Sequence, residues 1–138
     1  MKPHYVLDAC AVVALFKDEK GADIVDDVLA SVMNGKNTVS MNIVNLLEVY
    51  YGFLKDDGKD VAEKHLANIK VSVISITDKI TPAVFYEAAR LKTLYKMSLA
   101  DAFVLAETSV SGGIILTCDH HEFDIVAQRE NIAFCWLR

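Results

Sequence analysis

Five short apolar runs, spaced by longer stretches of helical period, limit the folds open to this chain more than any other feature. A chain that alternates in this way folds as α/β with a mainly parallel sheet. The runs are "HYVLD" (4–8), "NTVSM" (37–41), "VSVIS" (71–75), "GIILTCD" (113–119) and "IAFCWL" (132–137). Helical patterns fill the intervals: "ACAVVALFK", "KGADIVDDVLASVMN", "NIVNLLEVYYGFLK", "KDVAEKHLANI", "TPAVFYEAARLKTLYK", "SLADAFVLAETSV" and "HEFDIVAQRE". Gly35, Gly58 and the pair Gly112 and Gly113 fall where those helices should end. The charged "KDDGKD" at 55–60 reads as a turn, and no repeat or linker divides the chain. With 138 residues, 53% of them hydrophobic, the expectation is a single domain over 1–138: a five-stranded, mainly parallel sheet flanked by helices.

Ligands of open parallel sheets bind beyond the carboxyl ends of the strands. Two acids stand there, Asp8 closing the first run and Asp119 closing the fourth. Each also has an ordinary reading as the N-cap of the helix that follows. Asp101 lies in "MSLADAFVLA", where Ser98 reads as an N-cap and the acid falls in the first helical turn. That helix is apolar on nearly every side, and a buried carboxylate must be neutralised by a proton, a base or a metal ion. Glu48, in "NIVNLLEVYYG", departs from the core stripe of Ile43, Leu46, Leu47 and Tyr50. Alone, each acid is ambiguous; together they are costly to hide unless they share a cation. Oxygen donors without an accompanying Cys or His cluster select a hard ion, Mg²⁺ or Mn²⁺. Mg²⁺ is commonly completed by substrate phosphate, which points to phosphoryl chemistry.

The three cysteines, Cys10, Cys118 and Cys135, are odd in number and form no C-x-x-C pair, which fits reduced thiols in a cytoplasmic protein. His120 and His121 are adjacent and have no cysteine at zinc-finger spacing. No apolar stretch approaches the roughly 20 residues of a membrane span, and the N-terminal region reads as mature, soluble protein. A net charge of −5 argues at first against a nucleic-acid partner. Setting four metal-bound carboxylates aside leaves the remaining surface nearly neutral. Arg90, Lys92 and Lys96 precede the Asp101 helix and are the leading candidates for contacts to a substrate phosphate, with Lys17 and Lys20 next. A histidine base beside Asp119 is dispensable where a metal activates water. Tyr50, Tyr51 and Phe53 read as core or dimer contacts, and Trp136 as packing.

The order Asp8, Glu48 in "NLLEVYYG", Asp101 in "SLADAFVLA" and Asp119 in "TCD" resembles the PIN-domain ribonucleases, in particular the VapC-type toxins of toxin–antitoxin pairs. The resemblance covers essentially the whole chain and implies a Rossmann-like parallel sheet. It further implies RNA hydrolysis by a water activated on Mg²⁺ or Mn²⁺, homodimerisation, and inhibition by a small antitoxin. Carried over residue by residue, Asp8, Glu48, Asp101 and Asp119 would bind or position the metal, with Thr117, Glu122 and Asp124 as auxiliaries. Cys10 stands where the family commonly has a hydroxyl or amide residue, so a hydrogen bond near Asp8 is expected to be weaker or missing. A phosphoacceptor receiver would need an acidic pair after the first strand and an acid after a central strand. A haloacid-dehalogenase-type phosphatase would need an acid in place of Cys10. The remaining alternative is a PIN fold without catalysis, serving as an RNA-binding or protein-interaction module.

Overall fold

The first, second and fourth apolar runs end at or next to a polar side chain that caps the following helix, and this sets the element boundaries there. The computed structural model describes residues 2–138. In order these form β1 (His4–Leu7), α1 (Ala9–Lys17), α2 (Ala22–Met33), β2 (Thr38–Asn42), α3 (Ile43–Asp57) and α4 (Lys59–Lys70). Then follow β3 (Ser75–Thr77), α5 (Pro82–Leu94), α6 (Leu99–Ser111), β4 (Ile114–Thr117), α7 (His120–Arg129) and β5 (Ala133–Trp136). Whereas α2 and α4 start at Gly21 and Gly58, five helices are capped by side chains: Asp8 accepts from Ala9 N–H, Asn42 from Val44, Thr81 from Val84, Ser98 from Asp101 and Asp119 from Glu122. Each satisfies a helix N–H that has no partner within its own helix.

All five strands are parallel, in the order β3-β2-β1-β4-β5. Alternate residues of a strand face opposite sides, so neighbouring apolar residues enter different layers. Val6 and its neighbour Ile115 pack with Leu91, Leu105 and Phe123 under α5, α6 and α7. Leu7 and Leu116 pack instead with Val12, Met41, Leu46, Val49 and Phe53 under α1, α3 and α4. This double burial is why the strands read as nearly continuous apolar runs. Strand order departs from β1 in both directions, which opens a crevice beyond the carboxyl ends of β1 and β4.

The third strand is shifted from its expected place. Val71 ends α4, and the Ser72 hydroxyl, donating to the Ile69 carbonyl at 2.6 Å and accepting from Ile74 N–H at 3.2 Å, holds a turn where "VSVIS" reads as a strand. Pairing begins only at Ser75. Asp78 therefore follows β3 directly, but β3 is an edge strand, so the acid does not close a central strand as a receiver would require. In α6 seven residues are buried, Asp101 among them, although Leu99 is exposed.

Gly21 (φ +98°) links α1 to α2 beneath the end of the sheet, and a Cβ there would lie 2.6 Å from Leu137 Cβ and 2.7 Å from its carbonyl oxygen. Gly35 (φ +71°) has open space around it. Gly35→Ala should cost about 1 kcal/mol of unfolding free energy from left-handed backbone strain. Gly21→Ala should cost a further ~1–3 kcal/mol from the clash, read by urea denaturation; equal losses would contradict this packing.

Candidate active site

Asp8 leaves β1 in an extended conformation that suits an N-cap, and its two oxygens do different things. Oδ1 accepts the Ala9 N–H at 2.8 Å. Oδ2 accepts the Thr117 hydroxyl at 2.7 Å, and Thr117 Oγ1 in turn accepts the N–H of Asp119 at 3.1 Å. One hydroxyl at the end of β4 thus spaces the two strand-end acids. Asp119 also accepts the Glu122 N–H at 3.2 Å through Oδ1. Both acids cap the helix that follows, and capping leaves both on the border of a common cleft. Cys10 does supply a contact to Asp8 Oδ2, but a long sulfur one of 3.6 Å, and its Sγ accepts the Cys118 N–H at 3.0 Å.

Asp8, Glu48, Asp101 and Asp119 line one cleft of about 390 Å³, completed by Ala9, Cys10 and Cys118. No lysine or arginine is among its lining residues. Burial pushes the Asp8 carboxyl up to about 7; the Thr117 hydrogen bond opposes this, and the charges of Asp101 and Glu48 add to it. Asp101 is raised by burial and then by Asp119, against its hydrogen bonds with Ser98. Glu48 is raised by burial and by Asp101, while Asn45 lowers it. The carboxylates repel one another in a site with no cationic side chain, and that electrostatic deficit is what a divalent cation relieves. Among the described residues no three Asp, Glu, His or Cys side chains close on a single point. Asp8, Glu48, Asp101 and Asp119 offer oxygen donors alone, which would suit a hard divalent ion.

The auxiliary candidates separate. Thr117 is fully buried between Asp8 and Asp119. Glu122 borders the acidic cleft, and its charge adds to the rise of Asp101. Asp124 turns away, paired at 2.8 Å with His120, whose other ring nitrogen meets the Arg138 carbonyl oxygen at 2.7 Å. His120 also stacks on Trp136 with ring centroids 3.9 Å apart, so it is held structurally. Of the expected cations, Arg90 is tied to Glu87 at 2.7 Å and to Glu130 at 2.6 Å. Lys92 donates to the Met97 carbonyl at 2.7 Å. Lys96 instead lines a second cleft, of about 590 Å³, with Met97, His121, Glu122 and Arg129. Glu122 links the two clefts, since its backbone N–H reaches Asp119. Phe53 is buried, Tyr51 is exposed, and Tyr50 donates to Glu63 at 2.9 Å.

Three residues escaped the sequence reading. Cys118 lines the acidic cleft, and Arg129 reaches the second cleft from the last turn of α7. Asn45, fully buried, donates to the Ala100 carbonyl at 3.1 Å and joins the Glu48 helix to the Asp101 helix. Its sequence signal is an amide on the buried face of α3, between Asn42 and Leu46.

The family model of the PIN domain matches residues 5–128, and the chain belongs to the PIN-domain family. No curated protein is significantly similar to it in sequence. Among solved structures, the fold is shared with VapBC2 from Rickettsia felis bound to a DNA fragment from their promoter. That likeness has 19% identity, a TM-score of 0.73, and covers 96% of this chain and 97% of the other. DNA-bound VapBC from Salmonella typhimurium is similar at 14% identity and a TM-score of 0.70, with 100% of both chains covered. VapC20 of Mycobacterium tuberculosis, a sarcin-ricin loop cleaving toxin, is similar at 16% identity and a TM-score of 0.55, over 80% of this chain and 86% of that one.

An acid raised in the folded state binds its proton more tightly there than in the unfolded chain, so stability falls as pH rises. For Asp8 the fall should run from about pH 4 to about pH 7 in metal-free buffer and amount to a few kcal/mol. Asp8→Asn should flatten that part of the pH–stability profile and be the more stable protein at pH 7.5 without metal. A profile unchanged by the substitution would contradict the buried charge assigned to Asp8.

Proposed function

We propose that the protein is a Mg²⁺- or Mn²⁺-dependent ribonuclease, acting as the toxin of a toxin–antitoxin pair. The observation that carries this reading is the meeting of four carboxylates from separate segments in one cleft without a cationic side chain. Asp8, Glu48, Asp101 and Asp119 would hold the ion. When bound, it supplies polarisation of the phosphodiester and a lowered pKa for the attacking water. Thr117 fixes one oxygen of Asp8 and the backbone of Asp119, whose own carboxylate is held by the Glu122 N–H. Asn45 sets Glu48 against the start of α6. Glu122 stands at the border, where a strand of RNA leaving the acidic cleft meets Lys96 and Arg129 in the second. These cations take the flanking phosphates, while Arg90 and Lys92 are occupied with their own partners.

The reading includes two protein partners, a small antitoxin and a second copy of the chain. Large apolar side chains left exposed on α3 (Leu47, Tyr51, Leu54) and α5 (Phe85, Tyr86, Leu94) support protein contacts of this kind. So does the likeness in fold to chains of toxin–antitoxin complexes. No helix among the described residues is long and apolar enough to cross a membrane.

The test is incubation with a mixed RNA pool in Mg²⁺ or in EDTA, alongside Asp101→Asn. The amide keeps the capping geometry but binds a hard cation poorly. Wild type should cut only with metal, and the folded variant should be at least about a hundredfold slower. Equal activity of the two, or cutting in EDTA, would contradict the reading; RNA bound but uncut would favour a binding module. Lys96→Gln with Arg129→Gln should raise KM with kcat little changed and flatten the salt dependence of RNA binding by about 0.7 per cation removed. An unchanged KM and salt slope would remove the second cleft from the RNA path.

A further inference from the structure

Two of the three cysteines meet inside the acidic cleft. Cys10 lies in the first turn of α1, two residues after Asp8, and Cys118 follows β4, one residue before Asp119. Both line the cleft and both are free thiols. The Cys118 N–H approaches Cys10 Sγ to 3.0 Å, which brings the Cys118 Cα within about 4.5 Å of that sulfur. Cysteines with Cα atoms more than about 7 Å apart cannot be bridged without backbone movement, and this approach keeps the pair near or inside that limit. The same sulfur also touches Asp8 Oδ2 and Thr117 Oγ1, each at 3.6 Å. A covalent change at Cys10 is therefore a change at the bond that spaces Asp8 from Asp119.

We propose that Cys10 and Cys118 form a reversible intramolecular disulfide across the acidic cleft, and that this bridge weakens divalent-cation binding there. The second half rests on the reading of the cleft as a metal site. With a peroxide as oxidant, one thiol attacks an oxygen, the O–O bond breaks, and the sulfur becomes a sulfenic acid while its proton leaves with the departing hydroxide as water. The second thiol then displaces the sulfenic oxygen, forming the S–S bond and releasing a second water. Both sulfurs are oxidised by one electron and the peroxide is reduced by two. A dithiol reverses the step by thiol–disulfide exchange. The bridge removes the S–H donor on Asp8 and draws the start of α1 toward the loop that carries Asp119. Cys135, on β5, takes no part.

The full-length reduced protein is treated with hydrogen peroxide, its remaining thiols are blocked with a maleimide, and it is digested without reductant. Mn²⁺ is titrated by calorimetry into the reduced, oxidised and dithiothreitol-rescued forms. The expected result is a peptide joining Cys10 to Cys118, preserved in Cys135→Ser and lost in Cys118→Ser. With it should come a fall of at least about tenfold in Mn²⁺ affinity, restored by dithiothreitol. In Cys118→Ser, whatever its starting affinity, peroxide should yield no joined peptide and cost less Mn²⁺ affinity than it costs the bridged wild type. Free or singly oxidised cysteines after peroxide would overturn the bridge. A bridge with unaltered Mn²⁺ affinity would overturn its effect on the site. If the reduced protein itself fails to bind Mn²⁺, the metal reading falls and the effect with it, whereas the joined peptide is judged separately.

Discussion

The hydrogen bond from the Thr117 hydroxyl to Asp8 Oδ2 is the contact on which the geometry of the cleft depends. It joins the ends of two neighbouring parallel strands, β1 and β4, at the point where strand order turns in opposite directions. A buried carboxylate beside other carboxylates is unfavourable, and the bond offsets only part of that cost. Because Thr117 also receives the Asp119 N–H, the same hydroxyl sets how far the two acids stand from one another. The sheet supplies the rigidity; the hydroxyl converts it into spacing.

The other two acids arrive on helices and are held by different means. Asp101 is placed by the cap of its own helix, where Ser98 accepts the Asp101 N–H at 3.1 Å. Glu48 depends on Asn45, whose amide connects α3 with the beginning of α6. Helix capping and charge clustering therefore act together here, since the residues that start α1, α6 and α7 are the ones that bring carboxylates or their partners to the cleft. A site arranged this way gathers negative charge, which a divalent cation would offset.

Much of the fold can be read from the sequence because double burial leaves unbroken apolar runs and caps mark the helix starts. Asp8, Asp101 and Asp119 stand out for the same reason: an acid ends an apolar run or interrupts an apolar helix. The position of β3 is not legible, because the Ser72 turn uses side-chain hydrogen bonds that "VSVIS" does not announce. Nor is the commitment of Arg90, which depends on Glu130, 40 residues away. Arg129 carries no sequence signal either, because it enters the second cleft through the packing of α7 against the α5–α6 connection. Cys10 could be recognised as a departure from its family, but its partner Cys118 becomes visible only once β1 and β4 lie side by side.

The central claim is that Asp8, Glu48, Asp101 and Asp119 share one cation. Diffraction from crystals grown with Mn²⁺, recorded where manganese scatters anomalously, locates the ion without reference to activity. A shared cation gives an anomalous peak between these four carboxylates, with at least one of them in direct contact. Anomalous density elsewhere on the molecule, or none in this cleft at saturating Mn²⁺, would contradict it.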